Sequence, residues 1–122
     1  MEMFYLETDV NRYGFAVYPV GTVFGSVSGV YVLLASRAST TGDSSYLCLD
    51  GRQVGMTGYE ILYIGMAGSF RYRFYHHPTF LQAGKEGMSH IGILKVSSGR
   101  KRRKIERELV GFFEPPMNRY LL

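Results

Sequence analysis

Residues 29–36 read GVYVLLAS and residues 60–64 read EILYI. Both runs are apolar and rich in β-branched residues, with no regular alternation of polar positions, so each is expected to be a strand covered on both faces. Residues 90–97, HIGILKVS, predict a third strand. The sequence between the first two, Arg37 to Tyr59, is rich in Ser, Thr and Gly. Its Asp50-Gly51 pair lies between YLCL and RQVG, the arrangement of a small hairpin. Residues 37–59 are therefore read as an insertion.

Downstream of the second run, GMAGSFRYRFYHHP (residues 65–78) offers Ser69 as an N-cap and Pro78 as a stop. This predicts a short helix with Arg73 and His77 four apart on one face. After the third run, Ser98 or Gly99 opens a stretch from Arg100 to about Phe113 in which Ile105, Leu109, Phe112 and Phe113 recur at helical spacing, and Pro115 and Pro116 end it. The order strand, strand, helix, strand, helix in 122 residues predicts one α/β domain of the α+β kind. Its expected architecture is a small central antiparallel three-stranded sheet flanked by helices, with residues 1–27 as an N-terminal extension of unassigned structure.

No Lys, Arg, Asp or Glu occurs from Tyr13 to Ser36, and these 24 positions would be long enough to span a bilayer as a helix. Pro19, four glycines and six valines within them suit buried strands and turns better. The lone Cys48 excludes an internal disulfide, and MEMFYLETDV lacks the basic leader and long apolar run of a secretory signal. The expected compartment is cytoplasmic or otherwise intracellular, without membrane attachment. His76 and His90 do not complete a zinc site with one cysteine, and Gly65, Gly68 and Gly84 lack the spacing of a nucleotide-binding loop.

Charge is unevenly spread. Residues 1–60 hold three Lys/Arg against six Asp/Glu, a net −3, while residues 61–122 hold eleven against four, a net +7. A phosphate-binding face leaves this asymmetry, because each neutralised phosphate releases counterions; so does a solvated basic surface. The run Arg100, Lys101, Arg102, Arg103, Lys104, joined by Arg71, Lys95 and Arg107, is the candidate nucleic-acid-binding surface. A nuclear-import tag and a plain solvent face of the last helix are the alternatives. Glu106 is the informative carboxylate: it precedes Leu109, Val110 and Phe113 by three, four and seven residues, at the border of the core-facing stripe. Burial of an anion there is unfavourable unless a cation receives it. It is either a metal ligand facing a cleft or a rim glutamate paired with Arg102, Arg103 or Arg107.

Gly29-Val30-Tyr31 and Tyr63-Ile64-Gly65 resemble the two strand signatures of the GIY-YIG nuclease family, with Val in place of the first Ile. The tripeptides alone carry little weight; the downstream spacing is more specific. An arginine follows the second glycine by eight residues (Arg73) and a histidine follows that by four (His77). A helix glutamate, Glu106, then stands twelve residues before an asparagine that follows a proline pair, Asn118. The resemblance covers residues 29–118. It departs from the family in the 31 residues that separate Tyr31 from Tyr63, more than the family's usual connection, and no separate DNA-targeting domain is expected.

The resemblance implies the GIY-YIG fold and a metal-dependent endonuclease that hydrolyses phosphodiester bonds by a single-metal mechanism. Glu106 would hold Mg²⁺ or Mn²⁺, Arg73 would fork onto phosphate oxygens, and Tyr31 would act as general base or water-positioner with Tyr63 in support. His77 would help with the proton, and Asn118 would orient its neighbours. DNA is expected over RNA, and a monomer or weak homodimer. The alternative is a non-catalytic nucleic-acid-binding module on the same scaffold.

Overall fold

The computed structural model of the chain describes residues 2–36, 47–49, 52–55 and 58–120. GVYVLLAS forms β3 (Gly29–Ser36), which pairs antiparallel with β6 (Tyr59–Ala67) on one side and β7 (His90–Lys95) on the other. Its residues are buried from Gly29 to Ala35 because both faces of the sheet are covered. Val30, Val32 and Leu34 enter one apolar cluster with Leu109 and Phe113 of α3 (Gly99–Phe113). Tyr31, Leu33 and Ala35 enter the other, with Phe70 of α1 (Phe70–His76), Ala83 of α2 (Pro78–Lys85) and Met117 of α4 (Pro116–Tyr120). A strand sandwiched in this way has no polar face, which is why its sequence does not alternate.

The three expected strands are neighbours, but the sheet is not three-stranded. β1 (Glu2–Glu7) and β2 (Arg12–Pro19) form a hairpin, and β2 joins the outer side of β7. The result is a five-stranded antiparallel sheet in the order β1-β2-β7-β3-β6. Phe4, Leu6, Phe15 and Val17 point into the core, whereas Met3 and Tyr5 on the opposite face of β1 are 39% and 48% exposed. Apolar residues on both faces hide the period of two in β1, whereas β2 falls at the start of Tyr13 to Ser36, the stretch expected to hold buried strands and turns. The sheet curls until β6 meets β1: the Tyr59 hydroxyl donates to Glu2 Oε1 at 3.0 Å and its ring packs edge-on against Phe4.

β4 (Leu47–Leu49) and β5 (Arg52–Gly55) pair as a separate two-stranded sheet within the insertion. Asp50, Gly51 and residues 37–46 lie outside the described residues. Pro78 does end α1, but it also takes the first position of α2, where its missing N–H removes no helical bond. A second helix therefore follows the one expected, and His77 is the extended junction between them instead of a helical residue. The Ser98 hydroxyl accepts the Lys101 N–H at 3.2 Å and so caps α3. The charge-free stretch Tyr13 to Ser36 runs through β2, a connecting loop and β3, and no described helix is long and apolar enough to cross a membrane.

Candidate active site

A bulge in β6 sets the site. The register against β3 pairs Leu33 with Tyr63 but Leu34 with Ile61, leaving Leu62 as the extra residue. Tyr59 and Ile61 pack toward α3, and strict alternation would send Tyr63 after them. The bulge turns Tyr63 to the opposite face, where it packs with the cluster that contains Tyr31, and returns Ile64 to the α3 side. Gly65 is the cross-strand partner of Tyr31. A Cβ on Gly65 would lie 2.6 Å from the Tyr31 ring and hydroxyl and 2.8 Å from the Tyr63 ring, so only glycine admits both side chains. At Gly29 a Cβ would fall 2.0 Å from the Leu94 carbonyl oxygen. Both glycines of the paired signatures are thus required by close approach.

Tyr31 is fully buried in an aromatic cage, with ring centroids 5.0 Å from Phe74, 6.2 Å from Phe80, 6.4 Å from Phe70 and 6.1 Å from Tyr63. Its hydroxyl has no hydrogen bond of ordinary geometry, although the Tyr63 hydroxyl is near enough to bias its ionisation. Burial raises the Tyr31 pKa well above the usual phenol range; Tyr63 and Glu106 push the same way and Arg73 opposes them. Tyr63 is raised by burial and then by Glu106. Neither is a phenolate at neutral pH.

Glu106 is half-buried on α3 and makes no hydrogen bond or ion pair among the described residues. Desolvation raises its pKa, and the charges of Arg73, Arg107 and Arg103 only partly offset it. The pairing with Arg102 considered from the sequence is not formed, because Arg102 Nη1 donates to the carbonyls of Val96 and Ser97 at 3.2 and 2.9 Å. Arg73 is the group common to the site: its charge acts on Tyr31, Tyr63, Glu106 and His77. Its Nη1 lies 3.1 Å from His77 Nε2, while the Thr79 N–H approaches His77 Nδ1 at 3.2 Å. Both ring nitrogens face donors, and a neutral imidazole has one acceptor nitrogen, so only one of these approaches is a hydrogen bond at a time. Burial, followed by Arg73, lowers the His77 pKa and keeps it neutral.

Asn118 stands apart from this chemistry. Its Oδ1 accepts the Ile64 N–H and its Nδ2 donates to the Ile64 carbonyl, each at 2.9 Å. The side-chain amide thereby takes the place of a neighbouring strand on the outer edge of β6, between Tyr63 and Gly65, and fixes α4 there. Arg71, Lys95, Arg100, Lys101, Arg103, Lys104 and Arg107 are exposed, whereas Arg102 is partly buried in its backbone contacts. The cage residues Phe70, Phe74 and Phe80 were not singled out from the sequence. Their signal is the four-residue spacing of Phe70 and Phe74 across Arg73, followed by a third ring just past Pro78. No family model, no characterised protein and no solved structure matches this chain.

Proposed function

We propose that the chain is a metal-dependent endonuclease of the GIY-YIG type that hydrolyses phosphodiester bonds in nucleic acid, DNA in preference to RNA. The observation that carries the proposal is Glu106: a half-buried carboxylate without hydrogen-bonded or ion-paired partner among the described residues, under the influence of Arg73 and beside two desolvated tyrosines. A desolvated, uncompensated anion fits a divalent cation. Glu106 is the carboxylate that would hold the ion, with water and phosphate oxygens completing the shell; no group of three or more His, Cys, Asp or Glu forms among the described residues. Mg²⁺ or Mn²⁺ in this position would supply charge neutralisation to the phosphate and the leaving oxygen.

The chain's own residues divide the remaining work. Arg73 would place its guanidinium on the non-bridging oxygens. When it turns from His77 toward phosphate, Nε2 is uncovered, and in the tautomer that carries its proton on Nδ1, with the Thr79 bond given up, the neutral imidazole would take a proton from the attacking water. Tyr63, protonated at neutral pH, would position that water and the phosphate through its hydroxyl, and Tyr31, protonated and fully buried, would support Tyr63 instead of removing a proton. Asn118 would hold Tyr63 in place through the β6 backbone. The exposed cations of α3 would follow the nucleic-acid backbone.

Plasmid nicking with Mg²⁺ or Mn²⁺ tests the proposal. Wild-type protein should cut, Glu106→Ala should bind without cutting, and Arg73→Ala should lose on the order of 10²–10³ in rate. Binding without cleavage under either metal would instead establish a non-catalytic nucleic-acid-binding module.

A further inference from the structure

Phe70, Phe74 and Phe80 do more than enclose Tyr31. They also line a cavity of about 430 Å³, together with Phe24 and Met88 and with Arg71 on its wall. The volume falls at the small end of the roughly 300–1,000 Å³ typical of small-molecule sites. Four phenylalanines stand among aliphatic neighbours such as Val20, Val23 and Ile91 in its lining: Phe24 packs edge-on to Phe70 at 6.3 Å and to Phe74 at 5.2 Å. The loop that carries Phe24 is tied to α1 by two backbone bonds, Phe70 N–H to Val27 O at 2.8 Å and Arg71 N–H to Gly25 O at 3.2 Å, so the wall is built and not an accident of a loose loop. One short helix therefore supplies Arg73 to the phosphate-handling site and Phe70, Arg71 and Phe74 to the cavity.

We propose that this cavity receives one unstacked nucleobase of the substrate strand, next to the phosphate held at Arg73. The proposal rests on the nuclease reading. The phenylalanine rings offer stacking faces that every base can use, and the exposed Arg71 on the cavity wall offers a cation to the backbone of the same strand. The apolar majority of the wall predicts tolerance of base identity instead of sequence readout.

The test uses Glu106→Ala protein bound to oligonucleotides that carry 2-aminopurine at successive positions around the mapped cleavage point. Emission should rise several-fold at one position beside the scissile phosphate and stay quenched elsewhere. Phe24→Ala should abolish that rise and weaken binding on the order of 10-fold, the loss of one base–aromatic stack. An abasic site at the same position should weaken wild-type binding equally and make Phe24→Ala neutral. Cleavage by wild type with no emission change at any position overturns the base pocket and leaves the nuclease reading intact. Equal loss by Phe24→Ala on normal and abasic strands also overturns it. Absence of both binding and cleavage overturns both.

Discussion

Gly65 shows how little space the site leaves. Gly65→Ala would force the Tyr31 and Tyr63 rings apart from contacts of 2.6 and 2.8 Å, and a displacement approaching 1 Å near reacting groups lowers rate on the order of 10²-fold. The expected outcome is a folded protein, destabilised by about 1–3 kcal/mol of overpacking, whose nicking rate falls far more than its DNA affinity. Glu106 obeys the opposite logic. Its folded pKa lies above the ordinary 4.5, so the native state is best stabilised with the group protonated, and that stability is lost as pH rises through the folded value. Glu106→Gln should therefore melt above wild type at pH 7, converge with it toward pH 4.5, and not cut; thermal scans across pH would expose a wrong assignment if the variant melts lower at neutral pH. At this scale the spacings of Arg73, His77, Glu106 and Asn118 were legible because they are counted directly, but the extended backbone at His77 and the backbone-bonded amide of Asn118 were not. The reason for each glycine was not, since it depends on which ring lies across the strand.

Among the elements, α3 would carry a conflict between stability and the nucleic-acid binding proposed for it. Arg100, Lys101 and Arg102 occupy its first turn, where the helix dipole favours anions, and no acidic residue balances them. Lys101→Glu would place a glutamate three residues after the Ser98 cap and complete a capping box. Stability should rise by about 0.5–1 kcal/mol, measured by denaturant titration. DNA affinity should fall, and the slope of log affinity against log salt should shrink by about 0.9 if one phosphate contact is lost. An unchanged slope would remove Lys101 from the interface. The buried strands β3, β6 and β7 were readable because a sandwiched strand has no polar face. The Leu62 bulge was not, because an extra residue leaves composition and apolar content unaltered while reversing which face Tyr63 takes. α2 escaped notice because a proline that stops one helix is chemically indistinguishable from one that starts the next.

For the molecule as a whole, Glu108 joins the two ends of the described chain. Its carboxylate accepts hydrogen bonds from the Thr8 hydroxyl, the Asn11 amide at 3.0 and 3.2 Å and the Tyr13 hydroxyl at 2.7 Å. Burial works to raise its pKa, but these donors and Lys104 together bring it below 4.5. The stabilisation is present above pH 4.5 and disappears as pH falls through the depressed value. Glu108→Ala should cost about 1–2 kcal/mol at pH 7 and much less near pH 3, read by urea denaturation at both. An equal loss at the two pH values would show that the donors, not the charge, matter. The same carboxylate bears on how the chain acquires its shape. Its partners are 95 to 100 residues away, and the β1–β2 hairpin is paired to the rest of the sheet through β7. The β1–β2 hairpin thus finds its lasting contacts among residues about a hundred positions further along the chain. Long loops must close before the hairpin is held, which predicts slow, all-or-none folding.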